Sequence, residues 1–348
     1  MTVADLATFA SPILAIETSC DETAAAIVVG RSVRSNVIAS QIDLHAQWGG
    51  VVPEAAARAH VEQMLPVIAA AMQEASVGWS DLGAIAVTNR PGLVGALSIG
   101  LTTGKGLAFA LGIPLLAVHH LEGHLSSVYA DSPDLPFPHV ALVVSGGHTE
   151  LVQVSAPGEY RVLGETRDDA AGEAFDKSAR LLGLPYPGGR ALMELAELGH
   201  DRAYDLPKTR LDDPFEFSFS GLKTAMWRLV QHHGDQLNRP DAAAALQRAV
   251  LDQLARGVTA ALSETGAKGL ALVGGVAANQ PLRARLAELA ARHAATFAVP
   301  PLSLCTDNAA MIGLAASWRL ARGETDNFSA EALPNAPLPS IEMPVHPV

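Results

Sequence analysis

ILAIETSCDETAAAIVVG (residues 13–30) and HVALVVSGGHTELVQVS (residues 139–155) follow one pattern. In the first, the apolar runs ILAIE (13–17) and AAAIVVG (24–30) flank the polar turn Thr18–Thr23. In the second, HVALVVS (139–145) and ELVQVS (150–155) flank the turn SGGHT. Each pair is followed by a third strand-like run, RSNVIAS (34–40) and YRVLGE (160–165). Short β-branched and aliphatic runs bounded by Gly, Ser, Asp and Thr are strand signals.

Outward from these units, helices alternate with single strands. EAAARAHVEQMLPVIAAAMQEA (54–75) predicts a helix, bent or interrupted near Pro66, and a second helix runs to about Ala110. GAIAVT (83–88) and PLLAV (114–118) are strands of the first half; KGLALV (268–273) and TFAV (296–299) are their counterparts in the second. Hairpin strands followed by alternating helix and strand make a mixed-sheet α/β unit. Its duplication predicts two similar lobes with a ligand cleft between them. Residues 201–220 show no clean period and read as an inserted loop. The tail from Pro334, with Pro337, Pro339, Pro344 and Pro347, reads as an extended or disordered end.

At 348 residues the chain suits about two domains. Hydrophobic content of 49% against 17% charged residues supports large cores and argues against disorder. The N-terminus lacks a basic segment followed by an apolar one, so no signal peptide is expected. LAFALGIPLLAV is short and interrupted by Gly112 and Pro114, so it is not expected to span a membrane. Two distant cysteines, Cys20 and Cys305, read as reduced thiols in a cytoplasmic protein. A net charge of −12 rules out wrapping nucleic acid by bulk electrostatics.

Several motifs carry chemistry. In AVHHLEGH, His120 and His124 lie four residues apart, on one face of a helix, where two imidazoles can grip one cation. A helix edge that merely carries histidines gives the same pattern. A zinc-protease motif needs glutamate directly after the first histidine. Leu121 stands there, and Glu122 falls about 200° round the helix from His120. Asp307, in CTDNAAM, caps the next helix or completes a His-His-Asp set. Ser145, Gly146 and Gly147 make a turn whose N–H groups can approach an anion, or an ordinary hairpin. Asp21 and Glu22 occupy the matching turn of the first half. Asn279, after Gly274 and Gly275, suits a helix cap or a ligand contact. Asp176 and Lys177 are further ligand candidates, and Gly188–Gly189 reads as a turn. GLTTGKG lacks the spacing of a phosphate loop.

Taken together, IETSCDET, GGVVPEAAARAH, PGLVGALSIG, HHLEGH, VSGGHTEL, DDAAGEAFDK, YPGG, FSFSGLKT, GGVAANQPLR and CTDNAAMI resemble the motifs of the tRNA N6-adenosine threonylcarbamoyltransferase family, collinear from about residue 12 to about residue 320. The resemblance implies an actin-like ATPase (ribonuclease H-like) α/β fold, with residues 1–135 plus 305–348 in one lobe and 136–304 in the other. It implies one Fe2+ or Zn2+ held by His120, His124 and Asp307. It implies substrate contacts at Val143, Val144, Ser145, Gly146, Gly147, Asp176, Gly189 and Asn279, and supporting roles for Asp21 and Glu22. The implied reaction moves threonylcarbamoyl from threonylcarbamoyl-AMP to N6 of adenosine 37 in tRNAs reading codons that begin with A. Implied partners are the tRNA anticodon loop, an inactive paralogue (TsaB) and a small ATPase (TsaE), with a separate enzyme (TsaC) making the adenylate. One departure stands out: Arg90 precedes Pro91-Gly92 where the family usually has glycine, near the expected cleft mouth. A small-molecule kinase on the same fold, a glycoprotein metalloprotease and a non-enzymatic scaffold are the competing readings.

Overall fold

The computed structural model describes residues 1–209 and 211–339; the tail prolines Pro344 and Pro347 lie outside them. Among the described residues, ten strands form two five-stranded sheets. The first holds β1 (Ile13–Glu17), β2 (Glu22–Val29), β3 (Ser32–Ser40), β4 (Ala84–Arg90) and β5 (Leu115–His119), in the order β3-β2-β1-β4-β5. The second holds β6 (His139–Val144), β7 (Thr149–Ala156), β8 (Glu159–Glu165), β9 (Gly269–Val273) and β10 (Thr296–Ala298), in the order β10-β9-β6-β7-β8. In both, the first three strands are antiparallel neighbours and the last two join in parallel on the other side. The two sheets therefore share one topology, as the repeated sequence pattern predicts.

The central strands β1, β6 and β9 are buried along their whole length, which is why they read as unbroken apolar runs rather than alternating ones. Edge strands β3 and β8 are mostly part-exposed and carry the polar residues.

The helices that cover the sheets are α1 (Ile42–Ala46), α2 (Pro53–Ala75), α3 (Val94–Leu111), α4 (His120–Ser127), α5 (Ala171–Leu181), α6 (Gly188–Ala196), α7 (Ser220–His233), α8 (Arg239–Thr265), α9 (Gln280–Arg292) and α10 (Ala309–Ala321). Helices α2 and α3 bury Met64, Ile68 and Leu101 against the outer face of the first sheet. The approach of α3 is close: a Cβ on Gly104 would lie 2.2 Å from Val87 Cγ1, so glycine is required there. Gly100 of the same GLTTGKG run is held about as closely: a Cβ there would lie 2.4 Å from Thr18 Oγ1, whereas Gly106 faces open space. By length and composition α3 could cross a membrane, yet here it packs on β4 and α2. Helix α2 runs unbroken through Pro66, contrary to the expected interruption.

Helices α4 and α10 fill the space between the sheets. Met311, Ile312 and Leu314 of α10 pack on the first sheet, and Leu121 and Leu125 of α4 pack with Ala141 and Val143 of the second. Residues 201–209 and 211–219 form no helix or strand, as expected for an inserted loop. The described tail forms no helix or strand and bends at Pro334 and Asn335, and it is tied down. Pro334 accepts from Gly92 N–H, Ala336 accepts from His119 Nε2, and Leu338 is buried in the core. Its burial was not legible in a proline-rich stretch.

Candidate functional site

The β1–β2 turn and the β6–β7 turn sit at equivalent ends of the two sheets, and both line one cleft of about 980 Å³. Ser19, Cys20, Asp21 and Glu22 come from the first turn, and Ser145, Gly146, Gly147 and His148 from the second. The size suits a nucleotide-scale ligand.

His120 and His124 open α4, and Asp307 lies in the short link before α10. The packing of these two helices brings the three side chains together, each offering one ligand atom within 4.8 Å of the others. Asp307 Oδ1 is 3.5 Å from His120 Nε2 and 3.2 Å from His124 Nε2. The second approach lacks hydrogen-bond geometry: both ring nitrogens of the fully buried His124 have no hydrogen-bond partner. An orphaned buried imidazole beside a carboxylate and a second imidazole is what a cation site leaves when its ion is not counted. The donor set therefore fits a metal, with His120 and Asp307 facing the cleft. Asp307 does not cap α10; Asn308 does, accepting from Met311 N–H.

Behind His120 stands Glu17, which no motif singled out. Its carboxylate accepts from Thr88 Oγ1 and Ser19 N–H, and lies 3.2 Å from His120 Nδ1. Burial favours the neutral acid, but His120 and these donors outweigh it and hold Glu17 below its ordinary pKa. Burial likewise opposes charge on His120, and Asp307 and Glu17 overcome it, pushing the imidazole up to about 10. Asp307 is held well below the usual carboxylate range, chiefly by His120 against burial. The one available signal for Glu17 was an acid ending an otherwise apolar strand.

Glu122 faces elsewhere. It accepts from Tyr160 O–H at 3.1 Å and lies near Arg319 and Arg90, outside the cleft lining. Its burial, which raises its pKa, is on the far side of α4 from the two histidines. Arg90 also turns from the cleft: Nη1 donates to Asn89 Oδ1, while Asn89 holds the strap at Glu331.

The remaining candidates divide. Ser145 Oγ accepts from His148 N–H at 3.1 Å and from Gly147 N–H at 3.4 Å inside its own turn, and Gly146 and Gly147 are exposed residues of the cleft lining. Val143 and Val144 are fully buried in β6, so any part they play falls to the main chain. Gly274 has φ +93°, and a Cβ there would meet Val144 O at 2.4 Å; only glycine fits beside this strand end. Asp176 lines the cleft and accepts from Gly189 N–H at 2.7 Å. Gly188 and Gly189 open α6 rather than forming only a turn. Lys177 lines the cleft but is paired with Asp169 and Glu173. Asn279 is outside the lining: Oδ1 caps α9 through Leu282 N–H and Nδ2 donates to Gln247. Glu22 accepts from Ser40 Oγ, its Oε2 has no partner among the described residues, and burial raises its pKa to about 7. A second unforeseen residue, Arg180 of α5, crosses to the first lobe and donates to Gly49 O.

Comparison with known proteins agrees with this geometry. The family model for tRNA N6-adenosine threonylcarbamoyltransferase matches residues 32–314. The chain is 47% identical to the protein of that name from Acaryochloris marina, over 96% of this chain and 97% of that one. It is 52% identical to the one from Gloeobacter violaceus, over 89% and 91%. Among solved structures it is similar to full-length HypF in its phosphate- and nucleotide-bound form, with 15% identity, 91% of this chain and 56% of that chain covered, and TM-score 0.59. It is also similar to the activator of 2-hydroxyisocaproyl-CoA dehydratase from Clostridium difficile, with 13% identity, 90% and 96% covered, and TM-score 0.52. These two likenesses show the fold, an actin-like pair of α/β lobes. The chain belongs to the tRNA N6-adenosine threonylcarbamoyltransferase family.

Proposed function

We propose that the cleft transfers threonylcarbamoyl from threonylcarbamoyl-AMP to N6 of adenosine 37 in tRNAs reading codons that begin with A, releasing AMP. Family membership supports the reaction. The observation that carries it to this cleft is the convergence of two opposed turns on the His120–His124–Asp307 set.

Gly146 and Gly147 line the cleft exposed, and the main-chain N–H of Gly146 suits the adenylate phosphate. Asp176, beside them, suits the ribose hydroxyls, whose O–H groups donate to a carboxylate. Glu22, on the opposite turn and lining the cleft, has its pKa raised by burial to about 7, which suits it to take the proton that the N6 amine loses. Asp21 adds negative charge next to it. His120, His124 and Asp307 would hold Fe2+ or Zn2+, which polarises a carbonyl as a Lewis acid. TsaB, TsaE and an adenylate supplied by TsaC complete the proposed system.

Nothing in the site favours proteolysis, because Glu122 is turned from the cleft. The test is AMP release from threonylcarbamoyl-AMP with unmodified tRNA and the helper proteins. Release that requires tRNA supports the reading; release at the same rate without tRNA contradicts it.

A further inference from the structure

Histidines apart, one aromatic ring lines the cleft among the described residues: Tyr186. It stands in the run Pro185–Tyr186–Pro187, which connects α5 to α6 on the second lobe, and it is half-buried. Its hydroxyl makes no hydrogen bond among the described residues. Burial and the carboxylates of Asp21, Asp176 and Glu22 raise its pKa, so the phenol stays neutral. Asp21 and Glu22 belong to the first-lobe turn, which lines the same cleft as Tyr186.

A base taken from an RNA loop loses its neighbours' stacking and needs a π surface in return. The cleft offers one. The Asp21 and Glu22 carboxylates, on the turn opposite the one given to the donor, repel a phosphate and accept hydrogen bonds from an exocyclic amine. The anionic donor is thereby disfavoured beside the ring, and an adenine presenting N6–H2 is favoured there. We propose that Tyr186 is the platform on which the acceptor adenine stacks, with Asp21 and Glu22 facing its amine. This rests on the transferase reading of the cleft.

The test is steady-state transfer by the full chain with threonylcarbamoyl-AMP, unmodified tRNA and the helper proteins, varying tRNA and donor separately. Tyr186→Ala is expected to raise KM for tRNA by about fivefold to a hundredfold. Its KM for the donor should stay within about twofold of wild type, and Tyr186→Phe, which keeps the ring, should match wild type in both. An unchanged KM for tRNA in Tyr186→Ala overturns the proposal. So does a rise confined to the donor KM, which would give the ring to the donor's adenine. Phe behaving like Ala overturns it too, because the hydroxyl and not the ring would then matter. Tyr186→Leu, which keeps bulk without the π face, is read in the same way should the alanine variant fail to fold. If wild type forms no product, the transferase reading itself falls and this inference falls with it.

Discussion

Glu17 Oε2 lies 3.2 Å from Nδ1 of His120, and the same ring turns Nε2 toward Asp307. A buried strand-end carboxylate thus fixes which nitrogen of His120 faces the cleft. Such outer partners orient a ligand and raise its basicity, and their loss typically costs about tenfold to a hundredfold in metal affinity. Glu17→Ala is expected to weaken Fe2+ or Zn2+ binding by that amount, and Glu17→Gln, which still accepts from Nδ1, by less. Competition titration against a chelator reads it. Wild-type affinity in Glu17→Ala would show that Ser19 Oγ, 3.1 Å from the same nitrogen, and Asp307 suffice to orient the ring.

The two faces of α4 are expected to behave differently. His120→Ala or His124→Ala should lose bound metal and most transfer activity. Glu122→Gln, on the face that meets Tyr160, should retain both. Metal content by elemental analysis, alongside the rate, separates them. Loss of activity in Glu122→Gln with metal still bound would mean that Glu122 takes part in the chemistry.

Arg180 ties the second lobe to the Gly49 carbonyl at the cleft wall. Arg180→Ala should speed hydrogen exchange of the amides at 46–52 and raise the donor KM several-fold. The contact is exposed, so the loss of stability should stay below about 1 kcal/mol. Unchanged exchange would show that the segment needs no hold from the other lobe.

Glu150 sits opposite Glu165 in the β7–β8 ladder, and burial, then that second carboxylate, raise its pKa from 4.5 to about 7. A raised carboxylate means the folded chain binds more protons than the unfolded one between those values. Its contribution to stability is therefore present at low pH and is lost as pH rises through about 7. Glu150→Gln should flatten that slope and stabilise the protein at pH 8 by on the order of 2 kcal/mol. Denaturant melts at pH 5 and pH 8 test it; parallel shifts at both would show that Glu150 does not titrate in this range.

What was legible in the sequence followed from local pattern. The buried strands fall on apolar runs such as ILAIE and GLALV, because a doubly covered strand must be apolar throughout, and the part-exposed edge strands β3 and β8 on mixed runs beside them. The His120–His124 pair was legible because helical spacing alone places both on one face. What was not legible depends on distant partners. Glu17 gains its meaning only from His120, 103 residues away, and Arg180 only from Gly49, 131 residues away. The Asn279 cap was legible from its place before α9, but its second partner, Gln247 of α8, was not. Arg90 was expected near the cleft mouth, since sequence gives a position along the chain and not the side chain's direction.

The most direct measurement is nucleoside analysis by mass spectrometry of tRNA that lacks the modification, incubated with this protein, threonylcarbamoyl-AMP, the helper proteins and Fe2+ or Zn2+. N6-threonylcarbamoyladenosine should appear with wild type and fall at least about a hundredfold, equivalent to some 2.7 kcal/mol of barrier, with His120→Ala. Wild type that leaves the tRNA unchanged, or His120→Ala that modifies it at the wild-type rate, would contradict the account.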